Sequence, residues 1–358
     1  MISTESFSRE WISQRSTELD YKDKPLLEKV IRAFSLLEML VEAGAPIIFK
    51  GGSSLLLILK DSLNRLSIDV DVICPPGEQI QNYLKGLDAH GFTNIIPVRT
   101  EHGGKKLPAS HYKSFYELTF GTEKIDDAFI RLDVLYEENP YTNTQKLPID
   151  SPFLKQEGAP LMVTVPAKED ILGDKLTAFG PNSIGIPYYK EERDGNMRRC
   201  SLEIIKQLFD ISRLFEVVDD FKPTYHSFLK VSNVELGYRG MEGQITKYFD
   251  DVRESALCLS TRGQIGDGRF EEFQDGITRI KNFMYQRNYY IEQAAVDAAK
   301  VAYLATCFQN GITDIRKFNR ETDLHIMEIF SKMPSPLQRF RKSSPEAFYY
   351  WAKTFEML

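Results

Sequence analysis

Cysteine is scarce, with four in 358 residues. Cys74, Cys200, Cys258 and Cys307 lie far apart, and no CxxC or histidine pair accompanies them. That excludes a disulfide framework and a zinc cluster, and predicts reduced core thiols. Long apolar runs are also lacking. The longest aliphatic stretch, Leu55 to Leu59, is far short of the roughly 20 residues that span a bilayer. The first residues (MISTESFS) carry neither a basic nor an apolar leader segment, so the sequence predicts a cytoplasmic protein with no membrane segment. A positive excess is missing too: 45 Lys and Arg face 51 Asp and Glu, for a net charge of −6. Through Pro166 the count is 18 against 23, and from Ala167 onward it is 27 against 28. The overall charge does not advertise a nucleic-acid binder, leaving only local basic patches. No solenoid-period repeat or low-complexity tract is present.

Apolar side chains are abundant. Hydrophobic residues make up 42% of the chain, and 23 Phe and 17 Tyr supply surface for a large core. At about 150 residues per domain, the length predicts two domains. Asp23 as a cap, Pro25, and the stripe Leu27, Ile31, Phe34, Leu37 and Val41 mark a first helix that Gly44 ends. Strands are expected at Pro46–Lys50, Ile68–Ile73, Phe92–Val98, Tyr112–Phe120 and Ala128–Tyr136, with a helix over Glu78–His90. A Pro/Asn-rich connection, Glu137–Pro160, then leads to a last strand, Leu161–Val165, expected to complete a mixed sheet. After Pro166 the period becomes 3.6. Helices are expected at Lys168–Phe179, Arg199–Val217, Gly243–Leu259, Phe270–Met284, Tyr290–Phe308, Ile312–Met333 and Ser344–Phe355, with a loop over Gly180–Asn196. The predicted class is α+β: a mixed-sheet domain over 1–166 and an all-helical domain over 167–358.

The chemistry concentrates in Lys50-Gly51-Gly52-Ser53-Ser54 and in Arg65-Leu66-Ser67-Ile68-Asp69-Val70-Asp71. Carboxylates at i and i+2 of a strand project from one face, about 7 Å apart. They can converge on divalent ions, and Mg²⁺ takes hard oxygen ligands together with substrate phosphates. A Gly-Gly-Ser turn between strand and helix offers N–H groups and a hydroxyl, a seat for phosphate oxygens. In Phe129-Ile130-Arg131-Leu132-Asp133-Val134, Asp133 sits among apolar residues on a strand whose other face carries Ile130, Leu132 and Val134, a placement costly unless it is paired or metal-bound. Beside Asp69 and Asp71 it would complete a three-carboxylate site for two-metal phosphoryl chemistry.

This arrangement resembles the nucleotidyltransferase superfamily, and more narrowly the AbiEii/AbiGii-type toxins of bacterial toxin–antitoxin and phage-defence systems. The family's Lys-Gly-Gly-(Thr/Ser)-x-Leu stretch is met by Lys50, Gly51, Gly52, Ser53, Ser54 and Leu55. Its Arg-x-Ser-x-Asp-x-Asp is met by Arg65, Ser67, Asp69 and Asp71. Asp170-Ile171-Leu172-Gly173-Asp174-Lys175 matches a helix whose lysine is essential, which casts Lys175 in that role. A later Arg-Asp-x-x-Asp pattern is met only by its final acid, Asp210, because Lys206-Gln207 replaces the first pair.

The resemblance covers about the first 215 residues. It implies transfer of an NMP from an NTP to an acceptor hydroxyl, with Mg²⁺ (or Mn²⁺) on Asp69, Asp71 and Asp133. Lys50, Gly51, Gly52, Ser53, Arg65 and Ser67 would hold the nucleotide, and Lys175 would offset charge on the leaving pyrophosphate. It further implies a cognate antitoxin and, in some members, the tRNA 3′ end as acceptor.

Other readings compete. The chain could be a non-catalytic NTP sensor, or could modify a protein or a small molecule. Asp133 could pair with Arg131 or Lys124. Asp210 could belong to a solvated ion network with Lys206 and Arg213. Lys190, Arg193, Arg198 and Arg199 with Tyr188-Tyr189, and the cluster Lys332, Arg339, Arg341 and Lys342, could contact nucleic acid or simply be solvated. No role is assigned to His90, His102, His111, His226 or His325.

Overall fold

The computed structural model of the chain describes residues 1–98, 108–120, 128–192, 195–321 and 333–358. These form two units, Met1–Ala167 with Asn282–Asn288, and Lys168–Lys281 with Tyr289–Leu358.

In the first unit, helix α1 (Arg9–Glu18) precedes α2 (Lys24–Glu42). Asp23 caps α2 by accepting the Leu26 N–H at 2.9 Å, and Pro25 sits in its first turn. Gly44, in the left-handed region at φ +78°, ends it. The helix is buried nearly all round, so its own charges must be satisfied internally. Glu28 accepts the N–H groups of Thr119 and Phe120, while Arg32 donates to Gly91 O and stacks on Phe7 and Tyr116.

Strand β1 (Ile48–Lys50) runs directly into α3 (Gly51–Ile58). It is followed by β2 (Val70–Cys74), β3 (Asn94–Val98), β4 (Ala109–Phe115) and β5 (Phe129–Tyr136). These strands make a five-stranded sheet in the order β1-β2-β5-β4-β3. It is mixed, because β2 and β5 are parallel and the other pairs antiparallel. One face buries Phe49, Val70, Val72, Cys74, Tyr112, Ile130, Leu132 and Val134, with α2 packed against β2 and β5. Alternation therefore sends Lys50, Asp71, His111 and Asp133 to the other face.

Three expectations are corrected here. The strand expected to complete the mixed sheet, β7 (Met162–Pro166), pairs instead with β6 (Thr144–Pro148) in a separate two-stranded sheet. Strand β6 lies inside the connection read as irregular. Its Thr-Gln-Lys start is exposed and carries no apolar alternation to announce it. The helix expected over 78–90 is two 3₁₀ turns, Ile80–Tyr83 and Asp88–His90, separated by Gly86 at φ +73°.

The second unit holds α4 (Lys168–Thr177), a hairpin of β8 (Tyr189–Glu191) and β9 (Met197–Arg199), α5 (Ser201–Val217) and α6 (Phe221–Tyr238). Then follow α7 (Ile245–Ser260), α8 (Phe270–Ile280), α9 (Ile291–Gln309), short α10 (Ser335–Gln338) and α11 (Phe340–Ser343), and α12 (Pro345–Met357). Helix α9 buries its seam of Ala294, Ala298, Val301, Leu304 and Phe308 between α7 and α12. Helix α6 escaped the periodic reading because its buried face is half polar (Thr224, Ser227, Ser232). Its Pro223 sits in the first turn, where a missing N–H costs nothing. Residues 312–319, expected to begin a helix, have no regular structure, since Gly311 at φ +68° terminates α9; the remainder of that segment, 322–332, is outside the described residues. The four cysteines are buried and free. Among the described residues no helix is long and apolar enough to cross a membrane.

Candidate active site

Strand pairing places the chemistry in one row across the open face of the sheet. Lys50 of β1 is the register partner of Asp71 in β2, Asp71 that of Asp133 in β5, and Asp133 that of His111 in β4. Neighbouring strands lie about 4.8 Å apart and register partners share a face. The two carboxylates therefore stand side by side, flanked by a lysine and a histidine. His111 Nδ1 lies 2.6 Å from Asp133 Oδ1, with both side chains about one-quarter exposed (25% and 29%). Asp69 sits one residue before β2, and its carbonyl accepts the Ser53 hydroxyl at 2.5 Å.

The turn into α3 is built around Asp71. Gly51 has φ +76°, and a Cβ there would overlap Asp71 Oδ2. Both the backbone and the carboxylate therefore demand glycine. The Asp71 carboxylate thus lies against the first residue of a helix, where exposed N–H groups favour negative charge. A Cβ at Gly52 would come within 2.7 Å of Ser67 Oγ and 3.1 Å of Arg65 Nη2, so these side chains support the turn from below. Arg65 (1% exposed), Ser67 and Ser53 are buried, and Arg65 donates to Leu66 O at 2.8 Å. The segment 282–288 fastens this region: Leu66 N–H donates to Phe283 O at 2.8 Å and Tyr285 N–H to Asn64 O at 3.2 Å. Of the six residues read as nucleotide-binding, Lys50, Gly51 and Gly52 are partly open to solvent, while Ser53, Arg65 and Ser67 hold the turn in place.

Two adjacent carboxylates repel each other unless a cation lies between or beside them. Their hard oxygens, next to the exposed N–H groups of a helix start, suit Mg²⁺ or Mn²⁺ carrying phosphate. Among the described residues, no three His, Cys, Asp or Glu side chains are gathered closely enough to cage a metal alone. A metal held here would need water or substrate oxygens to complete its shell.

Lys175 and Asp210 belong to the helical unit. Lys175 Nζ lies 3.0 Å from Asp210 Oδ2 and donates to Gln207 Oε1 at 3.1 Å, with Asp210 fully buried. The solvated network considered for Asp210 is therefore replaced by a buried ion pair, and Arg213 turns instead to Asp297 at 3.1 Å. Asp133 is paired with His111 rather than with Arg131; Lys124 is outside the described residues.

In the basic stretch near residue 190, several side chains are engaged within the protein, while Lys190 is exposed. Tyr188 is buried against Phe273. Arg198 pairs with Glu192 and Glu203, and Arg199 with Glu272 and Asp275. Arg339 donates to Ser260 O at 2.8 Å. Arg193, Lys332, His102 and His325 are outside the described residues. His111 is the site residue that motif reading missed. It matches no local pattern and joins Asp133 only through the register of β4 on β5.

The chain resembles several solved structures. JHP933 from Helicobacter pylori is 15% identical, covering 82% of this chain and 94% of that one, with a TM-score of 0.42. The nucleotidyltransferase toxin MenT4 from Mycobacterium tuberculosis H37Rv is 12% identical, covering 87% and 96%, with a TM-score of 0.53, which shows a shared fold. No curated protein matches the chain. The family model for the nucleotidyl transferase AbiEii toxin, of the type IV toxin–antitoxin system, matches residues 35–284. That stretch runs from within α2, through the carboxylate row, to the segment that fastens Arg65, and the chain belongs to this family of toxin nucleotidyltransferases.

Proposed function

We propose that the enzyme transfers an NMP from an NTP to the 3′-terminal hydroxyl of an RNA, with tRNA as the first candidate, and that it requires Mg²⁺ or Mn²⁺. The observation that carries this reading is the in-register pair Asp71–Asp133 beside the Gly51-Gly52 turn. In the reaction, the acceptor oxygen forms a bond to the α-phosphorus as the bond to the bridging oxygen breaks, and pyrophosphate leaves. Asp69, Asp71 and Asp133 would hold the divalent ions, which supply charge neutralisation along the triphosphate. Gly51 and Gly52 offer backbone N–H groups to the terminal phosphates, with Lys50 adding positive charge. Ser53, Arg65 and Ser67 fix the shape of that turn.

Asp133 helps to activate the acceptor hydroxyl and takes up its proton, and His111 keeps the Asp133 carboxylate in one orientation. Lys175, with its ammonium fixed by Asp210 and Gln207, is assigned the charge developing on pyrophosphate. The products would be RNA blocked at its end and an arrest of translation, suited to a toxin whose counterpart is an antitoxin and to defence against phage. Such a role belongs in the cytoplasm.

The test is incubation of the purified enzyme with α-phosphate-labelled NTPs, cell RNA, cell protein and small-molecule acceptors, with Mg²⁺ or with chelator. Metal-dependent label in RNA supports the reading. Label confined to protein or to small molecules would replace the acceptor, and label unaffected by chelation would remove the metal.

A further inference from the structure

One strand step from the carboxylate row, the same open face carries two cations side by side. Lys113 of β4 is the register partner of Arg131 in β5, and each lies two residues from a member of the row, His111 and Asp133 respectively. Like charges directly opposite one another on a sheet are unfavourable. Among the described residues neither cation has a carboxylate partner; the one contact of Lys113 is with the Phe129 ring, 4.2 Å below its Nζ. Arg131 is exposed.

The next row along the face pairs Phe115 with Phe129, both partly exposed, their ring centroids 5.8 Å apart. The order outward from Asp133 is thus acid, cations, aromatics, at about 7 Å per step. Cations without a carboxylate partner among the described residues suit a phosphodiester, and partly exposed aromatic rings suit a base face; together they make the usual equipment for single-stranded nucleic acid.

We propose that Lys113, Arg131, Phe115 and Phe129 form the track for the acceptor strand, continuous with the carboxylate row. The last phosphodiester before the acceptor hydroxyl rests on Arg131 and Lys113, a base upstream stacks on the Phe115–Phe129 pair, and the terminal hydroxyl is delivered to Asp133. This rests on the reading of RNA as acceptor and adds to it a polarity: the 3′ end at Asp133, the body of the strand along β4 and β5 toward Phe115 and Phe129. It also locates the local basic patch that a net charge of −6 conceals.

The test compares wild type with Lys113→Gln/Arg131→Gln, with Phe115→Leu, and with the charge-preserving Lys113→Arg/Arg131→Lys. A fluorescent single-stranded oligoribonucleotide is titrated by anisotropy without NTP, and label transfer is measured in parallel. The expected result for the Gln pair is about a tenfold loss of RNA affinity, with a salt slope shallower by about 0.7 for each cation removed. The KM for NTP should stay within about twofold of wild type, because the phosphate-binding turn is untouched. Phe115→Leu should weaken RNA without changing the slope, and the charge-preserving pair should restore the slope. Melting temperature should hold or rise, since a like-charge pair is relieved. If wild type labels RNA while the Gln pair keeps both affinity and slope, this inference alone is overturned. If wild type labels protein and not RNA, the acceptor reading and the inference fall together.

Discussion

In the sheet unit two carboxylates of the same sign stand in register on an open face, whereas in the helical unit a lysine and an aspartate of opposite sign are sealed between helices. Asp71 and Asp133 are partly exposed and repel each other; Lys175 and Asp210 are 9% and 0% exposed as side chains and attract. The first arrangement is partly open to solvent and flanked by Lys50 and His111, so removing one member should be tolerated by the fold. The second arrangement satisfies its own charges, and removing one member strands the other in a low-dielectric interior. Placement of charge thus differs between the two units: like-signed and partly exposed in one, opposite-signed and buried in the other.

The largest stability effect is expected at the buried pair. Asp210→Ala should cost about 3–5 kcal/mol by leaving Lys175 unpaired, while the double replacement Lys175→Met/Asp210→Leu should recover most of it. Chemical denaturation of the three proteins checks this. If the stable double variant also recovers transfer, Lys175 is structural; if it stays inactive, the lysine acts on the leaving group.

Gly51→Ala comes next. It forces a left-handed backbone on alanine and drives Cβ into Asp71, so a loss of about 1–3 kcal/mol is expected together with most of the transfer activity. Calorimetry and label transfer on one preparation read both.

His111→Leu should lower kcat by about 10–100-fold with the KM for NTP little changed. His111→Asn, which can place a donor where Nδ1 stands, should recover part of the loss. The smallest effect is expected at Arg198. Its ion pairs with Glu192 and Glu203 are solvent-exposed, so Arg198→Ala should leave transfer and melting temperature near wild type. A marked loss of RNA labelling there would move the acceptor surface to the β8–β9 hairpin.

These residues also mark how far the sequence could be read. The Gly-Gly-Ser turn and the Asp-x-Asp strand are contiguous motifs whose local geometry follows from residue type, so their placement was legible directly. Asp133 was legible as an acid among apolar residues on a strand whose other face is Ile130, Leu132 and Val134. His111 was not, because 22 residues separate it from Asp133 and only the antiparallel register of β4 on β5 joins them. The Lys175–Asp210 pair depends likewise on α4 packing against α5. The burial of Arg65 and Ser67 against the turn depends on how closely Gly52 approaches them, which no residue type announces. Strand β6 and helix α6 went unread for a simpler reason: neither has the apolar period that makes an element visible.

The central claim is that the carboxylate row is the catalytic centre and serves chemistry rather than folding. Asp71→Asn tests it most directly, because the replacement keeps the shape beside Gly51 and removes the charge. Transfer of α-phosphate label and thermal melting should be measured on the same sample. The account predicts that transfer falls by about a thousandfold or more while the melting temperature stays at or above that of wild type. A variant that keeps its transfer activity, or loses it only by unfolding, would contradict the account.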